Sequence, residues 1–362
     1  MIPIYKPVIS KVAKKNVLEA INTVWISSQG NFIREFEKKL AKFHKIKYCI
    51  ATSSCTTALH LAILSLGLKA GDEIICPALS FIAPANMILL SNLKLVLIDI
   101  DPDTLTIDVG KIEERISKKT KAILVVHQFG HAADMDPIIK IKKKYNLKII
   151  EDNAESIGGK YKNRINGSIG DVSTLSFFAN KIITTGEGGA ILTNNKKIYI
   201  NCKEMRDHGM DTNKKYFHTK LGFNYRMTNL QAAIGVSQID EIKKILKLRS
   251  IQMGFYYKEL NKNKNIILRS FQKWCKPVHW LMTITLKKPS LRNKLLDYLK
   301  KNKIDARQMV NPINDAIHIK KKIKEKFKIS DEISKNSLHL PSGLSLKKKE
   351  IKFIVKVLNN FF

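Results

Sequence analysis

Short apolar segments alternate with amphipathic ones through the first half of the chain, and this alternation restricts the fold more than any other feature. The apolar segments have the length of buried strands, and the segments between them have the apolar spacing of helices. Such alternation predicts an α/β fold whose sheet is mostly parallel, with helices on both faces. Strands are predicted at Tyr48–Thr52, Glu73–Cys76, Leu95–Asp99, Ala122–His127 and Lys148–Glu151, and helices at Thr56–Leu66, Ala83–Ser91, Val109–Ile116 and Pro137–Tyr145.

A long helical pattern follows Asn229 and continues to Tyr257. It predicts a bridge between a large domain, residues 1–240, and a smaller C-terminal α+β domain, residues 241–362. The chain has 362 residues, 44% of them apolar, which is enough to bury a large core in two units.

The uncharged segment Ile74–Leu93 has about the length of a membrane span. Two prolines interrupt it, so a strand, a loop and a buried helix are the better interpretation. The N-terminus has no apolar stretch of the kind found in signal peptides. Five scattered cysteines form no CxxC pair and no metal-ligand spacing, so we predict a cytoplasmic protein without a metal site.

The formal charge of +33 raises the question of nucleic-acid binding. Of the 64 basic residues 55 are lysines, and they are dispersed over predicted helix faces instead of being interleaved with aromatic residues. Arginine, which most often reads bases, is scarce. We therefore predict no nucleic-acid partner, although the positive field would attract an anionic substrate.

One lysine lies in an unusual place. Lys181 is the only cation on the connection between two predicted buried strands, Val172–Phe178 and Ala190–Thr193, and glycines end that connection. A partly buried amine can form a Schiff base with a carbonyl. A surface-loop lysine is the simpler alternative, and position alone does not decide between the two.

Asp152 adds a second observation. It follows the predicted strand around Ile149, at the carboxyl end, where open α/β sheets bind their ligands. A carboxylate there can hold the ring nitrogen of pyridoxal 5′-phosphate (PLP) protonated. A turn or cap residue is the alternative, but the order strand–Asp followed by strand–loop–Lys favours a PLP site.

Five segments together resemble the sugar-nucleotide aminotransferases of the DegT/DnrJ/EryC1/StrS family. They are SSCTTALHLA, GDEIICPALSFIAPAN, EDNAES, SFFANKIITTGEGG and GFNYRMTNLQAAIG, in the family's order. The resemblance covers the chain from about Trp25 to about Pro341. It implies the PLP-dependent transferase fold type I, which is aspartate-aminotransferase-like, and a homodimer with shared active sites.

The resemblance also implies roles for individual residues. Lys181 would hold PLP and move a proton between the amino donor and the cofactor, while Asp152 would contact the ring nitrogen. The other implied cofactor contacts are Cys55 and Thr56 at the phosphate, Ser176 also at the phosphate, Phe81 stacked on the ring, Glu155 near the ring hydroxyl or substrate, and Asn224 reaching the phosphate from the neighbouring subunit. The family often has glycine where Cys55 stands, and the turn Ser53–Thr57 alone reads as an ordinary helix N-cap.

The implied reaction is transfer of an amino group from glutamate to a nucleotide-linked 4-keto-6-deoxy sugar, for a surface polysaccharide such as O-antigen. The lysine argues against the related dehydration, since enzymes that remove a sugar hydroxyl carry histidine there. The SFFxNKxITTGEGG pattern favours GDP-4-keto-6-deoxymannose as substrate. A UDP- or dTDP-linked keto sugar, aminated at C4 or C3, and a non-enzymatic basic binding protein on a degenerate PLP fold are the alternatives.

The segment IDARQMVNPIN departs from the family pattern. Many members have proline and histidine where this chain has Gln308 and Asn314. Arg307 is retained. Arg307 and Asn314 are therefore the candidate substrate-binding residues, with a surface salt bridge as the alternative for the arginine.

Overall fold

The computed structural model describes all 362 residues. The strands are β1 (Tyr48–Thr52), β2 (Glu73–Pro77), β3 (Lys94–Ile98), β4 (Thr120–Val126), β5 (Lys148–Asp152), β6 (Lys160–Tyr161), β7 (Arg164–Ile165), β8 (Val172–Ser176), β9 (Gly189–Thr193), β10 (Ile266–Leu268), β11 (Cys275–Lys276), β12 (Met282–Leu286), β13 (Arg307–Gln308) and β14 (Ser337–Leu340). The helices are α1 (Lys11–Asn22), α2 (Asn31–His44), α3 (Cys55–Ser65), α4 (Ala83–Leu90), α5 (Met135–Tyr145), α6 (Lys196–Arg206), α7 (Asn229–Asp240), α8 (Ile242–Leu260), α9 (Arg292–Lys301), α10 (Ile317–Lys320), α11 (Lys328–Asn336) and α12 (Lys348–Asn359).

A seven-stranded sheet with the order β1-β9-β8-β5-β4-β2-β3 forms the centre of the larger unit. Strands β3, β2, β4, β5 and β8 are parallel to one another, whereas β9 pairs antiparallel with both β8 and β1. The predicted α/β class and mostly parallel sheet are confirmed. No crossover helix separates β8 from β9, which is why these two strands pair as antiparallel neighbours.

Alternate residues of the strands enter different cores. On β5, Ile150 packs in the core that contains α3 and α4, and Ile149 packs in the core that contains α5. Because side chains alternate across a sheet, Asp152 lies on the α3 face and Glu151 on the opposite face. The same alternation places Val172, Thr174 and Ser176 of β8 on the α3 face.

A second, four-stranded antiparallel sheet with the order β10-β12-β14-β13 lies in the C-terminal part of the chain. Residues of α8, α9 and α12 pack with this sheet in one core, and the buried residues of that core come from the sequence between Met253 and Leu358. The division of the chain at residue 240 remains a prediction.

One helix prediction was wrong, and another was correct except for a single break. The segment Val109–Ile116 forms two short 3-10 turns, Val109–Lys111 and Glu113–Arg115. The Asp108 side chain accepts the Gly110 N–H at 3.0 Å, which favours a turn, and glycine is a poor helix former. The long helical pattern after Asn229 is also interrupted, because Glu241 leaves helical geometry (φ −88°, ψ 0°) between α7 and α8.

The uncharged segment Ile74–Leu93 forms most of β2, a loop and α4, as predicted. None of the helices combines the length and the apolar character that crossing a membrane requires.

Candidate active site

Lys181 lies on the tight connection between β8 and β9. Hydrogen bonds close this connection on itself, from the Phe177 N–H to the Gly188 carbonyl and from the Lys181 N–H to the Phe178 carbonyl, both 2.9 Å. The Lys181 side chain is 13% exposed, and its Nζ lies 3.5 Å from Glu155 Oε1. The predicted lysine is therefore a largely buried amine next to a carboxylate.

Asp152 ends β5 on the same sheet face as Ser176. It is 5% exposed, and its Oδ1 accepts the Ala154 N–H at 3.0 Å. Burial and, after it, the negative charge of Glu155 raise the pKa of Asp152 to about 6, while the Ala154 N–H and the charge of Lys181 oppose this rise. The carboxyl group of Asp152 thus shares one electrostatic environment with Glu155 and Lys181.

Glu155 joins Lys181 to a strained turn. Its Oε2 accepts the Phe129 N–H at 2.7 Å, while Oε1 faces the lysine. Phe129 has a positive φ of 51°, which is uncommon for an aromatic residue. The Glu155 side chain is 10% exposed, so it is not a surface acid.

The N-terminus of α3 lies at the same end of the sheet. Ser54 caps it, since its side chain accepts the Thr57 N–H and its carbonyl accepts the Ala58 N–H. The first N–H groups of the helix, at Cys55 and Thr56, are not satisfied by this cap and remain available to an anion.

A glycine brings the cap close to the lysine connection. Gly189 pairs with Thr52 on one side and with Ser176 on the other. A Cβ at position 189 would lie only 2.3 Å from the Ser54 carbonyl oxygen. The absence of a side chain therefore allows the α3 cap, the Ser176 hydroxyl and the lysine connection to converge.

Phe81 follows β2 and is 62% exposed, which is unusual for a large aromatic side chain. It lines a cavity of about 280 Å³ together with residues of the C-terminal unit, including Val310, Asn311 and Asp315. Phe81 is therefore not a core residue, although an aromatic residue shortly after a buried strand would ordinarily be one.

The remaining candidates lie outside this cluster. Arg307 is 60% exposed on β13, 3.9 Å from Asp305. Asn314 is 8% exposed, and its Nδ2 donates to the Glu325 carbonyl at 3.2 Å, so its side chain faces the protein interior. Asn224 is exposed next to Tyr225, whose carbonyl accepts the Ser53 N–H at 2.9 Å.

Two neighbours of the site were missed in the sequence. Trp280, about a hundred residues after the lysine, places its ring over Lys181 Nζ, 3.8 Å from the ring centroid. Behind the sheet, His127 Nε2 is 2.8 Å from Glu151 Oε2, and both side chains are fully buried. In the sequence, Trp280 is only a tryptophan in an apolar run, which is a weak indication of a functional residue. The one usable signal is its indole N–H, which usually needs a hydrogen-bond acceptor when it is buried.

Comparison with known proteins agrees with this geometry. Residues 7–359 match the profile described as the DegT/DnrJ/EryC1/StrS aminotransferase family. The chain belongs to this family. GDP-perosamine synthases from Escherichia coli O157:H7 and Caulobacter vibrioides are 37% and 38% identical to it, over 100% and 95% of this chain and 98% and 93% of theirs.

The solved structure of Escherichia coli GDP-4-keto-6-deoxy-D-mannose-3-dehydratase with bound hydrated PLP superposes with a TM-score of 0.93 at 25% identity, covering 99% of each chain. The DegT/DnrJ/EryC1/StrS aminotransferase family is PLP-dependent, and this member is a PLP-dependent sugar aminotransferase.

The residues present fit PLP. The cofactor needs an amine for its aldehyde, an acid for its ring nitrogen and donors for its phosphate. The site offers Lys181, Asp152 and the two free N–H groups of α3, and the buried Thr174 Oγ1 beside Asp152 has no partner within the chain. Asp152 and Thr174 are paired neighbours on one sheet face, and the charges of Asp152 and Lys181 both act on Cys55 at the N-terminus of α3, so these groups converge as a single ligand requires.

Proposed function

We propose that this protein converts GDP-4-keto-6-deoxymannose to GDP-perosamine, with glutamate as the amino donor. The observation that carries the proposal is the position of Lys181, a buried amine between β8 and β9 that shares its surroundings with Asp152 and Glu155. Full-length similarity to GDP-perosamine synthases supports the choice of sugar nucleotide. The lysine supports amination over the dehydration named for the structural neighbour.

The residues of the site divide the chemistry among them. Bound PLP supplies an electron-withdrawing ring that stabilises negative charge at the carbon being deprotonated. Lys181 Nζ takes the proton from the α-carbon of glutamate and, in the second half of the reaction, delivers a proton to C4 of the sugar. Asp152 keeps a proton on the ring nitrogen, and Glu155 orients the lysine.

The other residues of the site bind the cofactor or the sugar nucleotide. The N–H groups of Cys55 and Thr56 and the Ser176 hydroxyl hold the phosphate at the N-terminus of α3. Phe81 covers one face of the ring. Asn314 and the retained Arg307 stay proposed for the sugar-nucleotide end, because Val310, Asn311 and Pro312 of the same segment line the cavity beside Phe81.

We also propose the fold type I homodimer, acting in the cytoplasm. Helix α1 supports the dimer, because Val12, Leu18 and Ile21 are 53%, 58% and 49% exposed along it. Tyr216 and Leu221, at 85% and 83%, are further exposed apolar side chains in the segment that precedes Asn224. Patches of this kind mark interfaces, and Asn224 would reach the partner's cofactor phosphate across this one.

The substrate is tested in a single half-reaction. Protein loaded with PLP is treated with glutamate, freed of excess donor, and offered GDP-4-keto-6-deoxymannose or its UDP-linked counterpart. We expect the visible absorbance of the original cofactor form to return with the GDP sugar only, and NMR to place the new amine at C4. Return of the absorbance with the UDP sugar alone would show that the proposed GDP-linked substrate is wrong. An amine at C3 would contradict the proposed amination at C4. If glutamate does not change the absorbance of the loaded protein, glutamate is not the donor.

The shared site is tested by mixing two defective chains. Lys181→Ala and Asn224→Asp each disable both sites of a homodimer, the second by placing a negative charge beside the phosphate. If Asn224 acts across the interface, a co-expressed heterodimer has one intact site, and a random mixture should recover about one quarter of wild-type activity.

The same mixture distinguishes the opposite arrangement. If Asn224 serves the site of its own chain, every site in the heterodimer carries one defect and activity stays at the level of the single variants. Size-exclusion chromatography of each variant checks that the chains still associate.

A further inference from the structure

The indole of Trp280 contacts the lysine connection in two ways. Its ring face lies under Lys181 Nζ, 3.8 Å from the ring centroid. Its Nε1–H donates to the carbonyl of Asn180, the residue before the lysine, at 2.7 Å. One side chain from the segment preceding β12 therefore fixes both the backbone and the amine of Lys181.

A buried arginine fixes Trp280 in turn. Arg249, on α8, is 1% exposed and has no carboxylate partner. Its Nε and Nη2 donate to the His279 carbonyl at 3.0 and 2.5 Å, and Nη2 also donates to the Trp280 carbonyl. Burying a guanidinium is costly unless its donors are used, and here they hold the two residues that present the indole.

A second aromatic ring packs against the indole. Phe129 stacks on Trp280 with ring centroids 6.2 Å apart and planes inclined by 7°. The Phe129 N–H donates to Glu155, and Glu155 faces Lys181. The contacts thus form a closed ring through four residues, Lys181, Trp280, Phe129 and Glu155, in which Phe129 takes part with both its ring and its backbone N–H.

We propose that Trp280 is a positioning residue for Lys181, holding the free amine between its ring face and Glu155 whenever that amine is not bonded to the cofactor. This inference rests on the proposed role of Lys181. An aromatic face attracts an ammonium group, most strongly where water is excluded. The released amine is therefore held in one place, between the indole face and Glu155.

The first test uses the protein without cofactor. An acylating reagent labels lysines, and peptide mass spectrometry gives the rate at Lys181 relative to Lys162, which is 57% exposed. In Trp280→Leu we expect Lys181 to react about tenfold faster, since the indole no longer holds it. Trp280→Phe, which keeps an aromatic face, should show a smaller increase. Trp274→Phe is the matched control and should leave the rate unchanged.

The second test uses the loaded enzyme. Because a displaced catalytic group slows chemistry more than binding, Trp280→Phe should lower kcat about tenfold with little change in KM for the sugar nucleotide. The isotope effect with α-deuterated glutamate should increase, because proton transfer becomes slower relative to the other steps. A tryptophan that only fills the core would move neither the isotope effect nor the labelling rate.

Borohydride separates failure of this inference from failure of the proposed function. In the wild type, reduction should fix PLP on Lys181, and its absence would overturn the role of the lysine itself. If PLP is fixed but Trp280→Leu and Trp280→Phe keep the wild-type labelling rate and isotope effect, the positioning role is overturned and the proposed function stands. Should Trp280→Leu fail to fold, the Phe variant alone decides.

Discussion

Replacing Lys181 with alanine is expected to lower turnover by ~10⁴-fold or more, because we propose that the amine both holds the cofactor and transfers the proton. No other lysine approaches Glu155 within salt-bridge distance, so no neighbour can substitute for it. The measurement is steady-state amination of the sugar nucleotide, together with the mass of the chain after borohydride reduction in the presence of PLP.

Lys162→Ala is the matched control for this prediction. Lys162 is also on a connection that follows a strand, but it pairs with Asp136 at the surface. It should keep wild-type activity and covalent cofactor. An active Lys181→Ala protein, or one whose reduced PLP is found on another lysine, would contradict the assignment.

Replacing Asp152 with asparagine should separate cofactor retention from catalysis. The amide has the same size but carries no negative charge to hold the ring nitrogen protonated, so turnover is expected to fall about 10²- to 10³-fold. Borohydride should still fix PLP on Lys181, because the lysine is untouched. Activity within a few fold of wild type would remove Asp152 from this role.

The stability of the same variant provides the control. Burial raises the pKa of Asp152 to about 6, above its ordinary value of 3.8, so ionising it at neutral pH costs stability in the folded protein without cofactor. That cost is absent below the unfolded pKa and is fully present above the folded one. Asp152→Asn without PLP should therefore melt at the same or a higher temperature than the wild type at neutral pH. A lower melting temperature would attribute the lost turnover to unfolding.

Sequence reasoning located the central sheet well and the connections less well. The five strands from β1 to β5 were predicted within two residues at each end, because continuous apolar runs define buried strands. The segment around Gly110 has helical apolar spacing but only Ile112 is buried in it, so local turn chemistry prevailed. The break at Glu241 follows no glycine or proline and has no signal in the sequence.

The sequence predicts those site residues that directly follow a buried strand. Lys181 and Asp152 follow buried strands, and the sheet brings such ends together whatever the intervening sequence does. Trp280 follows the lysine by about a hundred residues in the sequence and reaches it only through tertiary packing. The inward orientation of Asn314 was likewise not predictable, since it depends on a hydrogen bond to the Glu325 backbone.

Gly189 gives the scaffold a geometric constraint that matters to anyone who redesigns it. Thr52, which leads into the phosphate-binding turn, and Ser176, which leads into the lysine connection, are its two cross-strand neighbours, and any side chain at 189 would collide with the Ser54 backbone. The distance between the turn proposed to bind the phosphate and the lysine connection therefore depends on the absence of a Cβ atom at position 189. Enlarging the pocket for a bulkier cofactor analogue must begin elsewhere, because any larger residue at position 189 would displace the α3 cap from the lysine connection.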